Sequence, residues 1–240
     1  MLRVLVVVLT LLCAQVAFAG ECVVLLHGLA RTASSMRPMQ RALEAAGFLT
    51  FNVDYPSREF PVETLADMAV PAGLEGCRQH EDVDRIHFVT HSLGGILLRQ
   101  YLSTATIREL GRVVMMGPPN QGSEAADDMA EVPGFDWVNG PAGRQLGKGE
   151  DSVPLRLGPA EFELGVIAGT RTIDPITSAV LENPDDGRVS VADTRLEGMD
   201  DFITVEHSHA FMMRMPRTIE LTIEFLRTGR FSHSPEAASR

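Results

Sequence analysis

Three side chains in this sequence have the types and order needed to activate a hydroxyl for attack on a carbonyl: Ser92, Asp186 and His209. Ser92 lies in Val89-Thr90-His91-Ser92-Leu93-Gly94-Gly95, directly between an apolar run, Ile86 to Val89, and residues with helical apolar spacing, Ile96, Leu97 and Tyr101. Such a junction matches the strand-to-helix elbow G-x-S-x-G, in which small residues let the backbone reverse sharply and hold the serine out. Thr90 stands where that pattern has its first glycine. A serine hydroxyl attacks only when a base takes its proton, and imidazole titrates in the right range. His209 is the candidate base. Asp186, in the turn-forming pair Asp186-Gly187, is the candidate carboxylate that would fix the imidazole tautomer and stabilise the imidazolium.

A tetrahedral intermediate also needs donors aimed at its oxyanion. The backbone N–H of Leu93, just past the serine, supplies one. The N–H of Leu29, in the glycine-containing loop His27-Gly28-Leu29, is assigned as the other. Alternatives stay open at two positions: His207 rivals His209 as base, and Asp174 and Asp185 rival Asp186 as acid. Ser92 as a mere helix cap is the plainer reading of that residue. His27 and His91 are read as structural neighbours of the site. Asp200 and Asp201 are too few carboxylates to specify calcium, so no metal is expected.

These residues must be positioned by a scaffold, and the periodicity describes one. Cys22 to Leu26 is a short continuous apolar run, as in a parallel strand buried on both faces. After it, Ser34 or Ser35 can cap a helix through Met39, Leu43 and Ala46 that stops at Gly47, followed by a strand over 48–53. Residues 62–77 have helical spacing, with Pro71 and Gly73 expected to kink or split the helix. The elbow strand and its helix come next, then a strand over 112–116. The glycine-, proline- and acid-rich stretch 117–158 reads as loops and short helices near the site. Strands over 164–168 and 202–205 precede a final helix with Pro216 in its first turn, Ile219, Ile223 and Leu226 on one face, and Gly229 at its end. Alternating strands and helices imply an α/β domain with a mostly parallel sheet covered on both faces. Ligand chemistry then belongs at the carboxyl ends of the strands. His27, Ser92, Gly117, Asp174, Asp186 and His209 all fall at or beyond such ends.

The 240-residue length suits one such domain, and 45% hydrophobic with 22% charged residues excludes wholesale disorder and a polytopic membrane protein. Arg3, the apolar run Val4 to Leu12 and Ala17-Phe18-Ala19 read as a secretory signal peptide over 1–19, too short for a membrane span. The domain is then 20–231, with a polar tail over 232–240. The net charge of −11 becomes one unit more negative once Arg3 leaves with the leader, which disfavours a nucleic-acid partner. Cys22 and Cys77 remain in an oxidising compartment, either bridged or as two buried thiols.

Taken together, His27-Gly28-Leu29-Ala30-Arg31, the elbow His91-Ser92-Leu93-Gly94-Gly95, and an Asp-Gly pair followed by a late histidine resemble bacterial lipases and esterases of the α/β-hydrolase fold, over most of the mature chain. In that resemblance, Gly117 to Ser123 matches the loop bordering the acyl pocket. It implies an exported, periplasmic or secreted serine hydrolase that cleaves carboxylic esters through an acyl-enzyme, acting on a small-molecule or lipid ester without a cofactor. Two alternatives use the same scaffold: an acyltransferase with the same triad, and a non-catalytic binding or accessory protein.

Overall fold

A computed structural model describes residues 20–130, 134–173, 181–182 and 184–233. The signal peptide over 1–19, Asp174 and residues 234–240 of the tail lie outside them. Six strands form one sheet: β1 (Glu21–Leu26), β2 (Leu49–Val53), β3 (Arg85–His91), β4 (Leu110–Met116), β5 (Leu164–Gly169) and β6 (Asp201–Val205). Their order is β2-β1-β3-β4-β5-β6, and every pairing is parallel. The α/β architecture expected from the sequence is therefore the one observed.

Alternation along β1 shows why the sheet is covered on both faces. Val24 and Leu26 join one apolar cluster with Leu65, Ala69, Ile96 and Leu97, whereas Val23 and Leu25 join a second with Met36, Met39, Leu43, Leu221 and Phe225. The first cluster is roofed by α2 (Val62–Arg78) and α3 (Leu93–Leu102). The second is roofed by α1 (Arg37–Ala45) and α7 (Pro216–Thr228). Between β4 and β5 lie the short helices α4 (Glu124–Ala130), α5 (Phe135–Arg144) and α6 (Val153–Arg156).

The structure corrects two local expectations. Neither Ser34 nor Ser35 caps α1: residues Ala33–Met36 form a 3₁₀ turn, Met36 occupies the cap, and Ser35 Oγ donates to Thr32 O at 2.8 Å. Pro71 and Gly73 do not split α2, which runs through both as one helix. Asp67, whose carbonyl loses its helical partner to Pro71, is an exposed residue. Gly73 and Gly76 instead form a flat stripe, because a Cβ at either would collide with Val24 or Phe51. The buried face of α7 is centred on Leu221, Phe225 and Leu226, with Ile219 and Ile223 at its margin. Gly229 ends that helix in the left-handed region, its N–H donating to Phe225 O at 2.8 Å.

Close packing of α2 on β1 also brings Cys77 to Cys22. The two form a disulfide across a Cα–Cα distance of 5.8 Å, which resolves the open question of their state. It lies at the amino end of the sheet, away from the carboxyl ends where the chemistry gathers.

Candidate active site

Ser92 sits between β3 and α3 with φ 52° and ψ −121°. Among the described residues only Ser92 and Ala30 combine a side chain with positive φ. That region costs a residue with a Cβ on the order of 1–3 kcal/mol and persists only where the surroundings impose it. At Ser92 they do. Its N–H donates to Met116 O at 2.9 Å, and the turn passes so near β1 that a Cβ on Gly94 would lie 2.6 Å from Leu26 O. Ser92 occupies the cap position of α3, yet its side chain makes no capping hydrogen bond. The helix-cap reading thus lacks the bond and the extended backbone such a residue uses.

Ala30, at φ 53°, is the counterpart in the loop after β1. Gly28 lets that loop lie against the elbow, since a Cβ there would stand 2.7 Å from His91 Nδ1 and 3.3 Å from Ser92 Cβ. Leu29, Ala30 and Arg31 therefore border the same cavity as Ser92 and His209. Leu93 is the first residue of α3, where backbone N–H groups have no partner inside the helix.

Asp186 and His209 meet across the ends of the sheet. His209 Nδ1 lies 2.8 Å from Asp186 Oδ2, and both residues are buried. A carboxylate can only accept, so Nδ1 carries the hydrogen and Nε2 is left as the basic nitrogen. Asp186 is itself held: its Oδ1 accepts from Arg188 N at 3.0 Å and Val189 N at 2.9 Å, and its carbonyl accepts from His209 N at 2.9 Å. Two of the rivals, Asp185 and His207, are engaged elsewhere, and Asp174 lies outside the described residues. Asp185 Oδ1 accepts from Gly187 N at 2.7 Å, closing the turn, and His207 Nδ1 pairs with Thr218 Oγ1 at 3.0 Å. Asp200 and Asp201 anchor the chain at Leu164 N, Phe202 N and Phe231 N.

The two other histidines near the site buttress it. His91 Nε2 donates to His209 O at 3.0 Å, while burial, followed by the charge of His209, pushes the His91 pKa well below the usual histidine range. His27 is stacked on Tyr55 with ring centroids 3.9 Å apart, and Tyr55 Oη donates to His27 O. Burial lowers the His27 pKa too. Both rings are thus held neutral and fix carbonyls beside the site.

The loop after β4 closes the cavity from the other side. Pro119 and Ser123 line it, together with Ala125, Ala126, Leu146 and Val189. Buried Arg99 pins this loop: its guanidinium donates to Asn120 O and Oδ1, both at 3.1 Å, and to the carbonyls of Pro154, Leu157 and Gly158. Sequence reasoning missed Arg99, and it missed Arg31 and Arg188 in the cavity wall. The last two were within reach, because each stands two residues beyond an assigned member of the site.

Residues 23–227 match the alpha/beta hydrolase family, and the chain belongs to it. Solved structures agree on the fold at low identity. The mature lipase BlEst2 of Bacillus licheniformis superposes with a TM-score of 0.67 at 18% identity, covering 87% of this chain and 92% of that one. Phospholipase PlaB of Legionella pneumophila gives 0.67 at 14% identity, over 88% of this chain and 60% of its own. A Staphylococcus hyicus lipase gives 0.58 at 11% identity, over 82% and 90%. No curated protein matches the chain significantly.

Proposed function

We propose that this protein is an exported serine hydrolase that cleaves carboxylic esters through an acyl-enzyme. One observation carries the reading: a serine held at positive φ opens on the same cavity as a histidine whose Nδ1 is fixed 2.8 Å from a buried carboxylate. Ser92 Oγ attacks the ester carbonyl as its proton passes to His209 Nε2. Asp186 holds the ring and stabilises the imidazolium. The N–H groups of Leu29 and Leu93 receive the oxyanion, and collapse expels the alcohol with the proton from His209. Water then enters by the same route, releasing the acid and restoring the serine.

Size and setting narrow the substrate. The cavity of about 320 Å³ is at the small end for ligand sites, which favours short or medium acyl groups. Export rests on the apolar leader over 1–19, and the Cys22–Cys77 bridge suits an oxidising compartment. The test is Ser92→Ala against a series of p-nitrophenyl esters, with a fluorophosphonate probe as the second readout. Hydrolysis is expected to fall on the order of 10⁴-fold or more and labelling to disappear. Full activity in Ser92→Ala, or labelling at another residue, would overturn the reading.

A further inference from the structure

Gly117, the first residue past β4, offers no side chain to any reaction, yet both members of the proton-transfer pair lie directly against it. A Cβ at this position would stand 3.0 Å from Asp186 Oδ2 and 3.1 Å from His209 Nδ1, the two atoms of the 2.8 Å hydrogen bond, and 3.1 Å from Met212 Sδ. These distances are shorter than ordinary van der Waals contact, so a side chain here would make a neighbour yield by a few tenths of an ångström. None has much room to do so. Asp186 Oδ1 is held by Arg188 N and Val189 N, His209 N donates to Asp186 O, His209 O accepts from His91 Nε2, and Met212 is fully buried. Behind Asp186 lies a second bare position. At Gly169, the last residue of β5, a Cβ would stand 2.7 Å from Asp186 Cβ and against His207 O. The acid from the loop after β5 and the base from the loop after β6 can thus meet low over the sheet, because glycine stands at the ends of both β4 and β5.

The backbone at Gly117 is fixed as firmly. Its φ of 55° lies in the region that favours glycine. The peptide group between Met116 and Gly117 donates from Gly117 N to Ile167 O at 2.9 Å and accepts on Met116 O from Ser92 N at 2.9 Å. One peptide unit therefore ties the backbone of the nucleophile to the floor beneath the acid and base.

We propose that Gly117 is a positioning residue for proton transfer: its bare Cα is the floor that sets the Asp186–His209 hydrogen bond, and the Met116–Gly117 peptide keeps that bond in register with Ser92. Gly117 acts through His209, since it does not itself border the cavity. Stretching a charge-assisted bond weakens the hold of the carboxylate on the imidazolium that forms in the transition state, which lowers kcat and leaves ester binding alone. The rate effect rests on the esterase reading, whereas the bond itself can be observed without any reaction.

The test sets Gly117→Ala against Gly229→Ala, a glycine of similar φ, 75°, at the end of α7, where a Cβ would meet nothing nearer than the Arg112 side chain at 3.3 Å. Both kcat and KM are measured with p-nitrophenyl butyrate. The low-field proton NMR signal of His209 Nδ1–H, identified by its absence from His209→Gln, is followed in the same proteins. Gly117→Ala is expected to lower kcat about tenfold with KM within about twofold of the parent, and to shift or abolish the Nδ1–H signal; Gly229→Ala is expected to do none of these. Should Gly117→Ala fail to fold, Met212→Leu takes its place. This volume-conserving swap alters the third wall of the same space, and it should move the Nδ1–H signal and lower kcat about threefold. The proposal is overturned by a folded Gly117→Ala whose kcat stays within about twofold of the parent, by an equal fall in Gly229→Ala, or by an Nδ1–H signal that neither Gly117→Ala nor Met212→Leu moves. A signal that moves in Gly117→Ala, in a protein that hydrolyses no ester, would uphold the floor and overturn the esterase reading instead.

Discussion

A histidine stands near a carboxylate at each end of the sheet, and only one of the two is prepared for proton transfer. At the carboxyl end, Asp186 takes two backbone N–H groups on Oδ1 and the imidazole of His209 on Oδ2, with the ring bordering the cavity. At the amino end, His87 Nε2 lies 3.7 Å from Glu21 Oε1, too far for a hydrogen bond, while Nδ1 accepts from Arg112 N at 2.8 Å. Burial, then the charges of Arg85 and Arg112, push His87 down to about 4. Burial also raises the Glu21 pKa. His87 is therefore disfavoured as a cation beside Glu21. A nearby carboxylate does not by itself make a base; what matters is whether backbone donors satisfy the carboxylate first and whether competing cations are kept away.

Asp186→Asn should break the contrast most strongly. The amide cannot hold the Nδ1–H tautomer as a carboxylate does, and loss of that partner in a comparable triad lowers kcat on the order of 10⁴-fold. Steady-state ester kinetics with an unchanged far-UV spectrum would show it; a loss below about tenfold would remove Asp186 from the assigned role. The amino end should respond in the opposite currency. The Cys22–Cys77 bridge closes a loop with a separation of 55 residues, so joint replacement by alanine is expected to cost about 4 kcal/mol of stability. Denaturant midpoints measure that cost, and kcat of the folded variant should stay near the parent value. A kcat that falls in step with stability would mean that the two ends are coupled.

The next effect comes from His87 itself. Its folded pKa is depressed from 6.5 to about 4, so the unfolded chain takes up a proton that the folded chain refuses in this window. The associated stability is complete above about pH 6.5 and is lost as pH falls toward 4, amounting to about 3 kcal/mol for this group. His27 and His91 are shifted in the same direction and add to the slope. His87→Asn, whose amide oxygen can accept from Arg112 N, should flatten unfolding free energy against pH by up to about 1.4 kcal/mol per unit. An unchanged slope would show that His87 titrates normally.

The contrast also explains what could be read from the chain. Strands such as β1 and the pairing of late histidine with Asp-Gly are local or ordered patterns, so their residue types announced the fold and the candidate site. Gly73 misled because its role is set by Val24, which lies on another element and leaves no room for a Cβ. Ser35 misled because its oxygen found Thr32 O before the helix began. The buttressing of His209 by His91 spans residues 118 positions apart, and the terminal nitrogens of Arg99 are held by carbonyls from separate segments of the chain. Contacts of that kind leave no periodic trace in the sequence.

Thr90 offers the smallest and sharpest comparison, because it replaces the glycine that opens the elbow pattern. It is fully buried in β3, and its Oγ1 has no hydrogen-bond partner among the described residues although a Cβ on Gly95 would lie 3.2 Å from it. A buried hydroxyl without a partner costs roughly 1–3 kcal/mol, whereas an apolar group of the same shape carries no such penalty. Thr90→Val keeps the branched outline, so the protein should gain about 1 kcal/mol while ester kinetics remain close to the parent. Thermal unfolding reads the first quantity and kcat/KM the second. A loss of stability would reveal a bond that this hydroxyl makes, and a fall in kcat would show that Thr90 helps to set the backbone of Ser92 where a glycine elsewhere suffices.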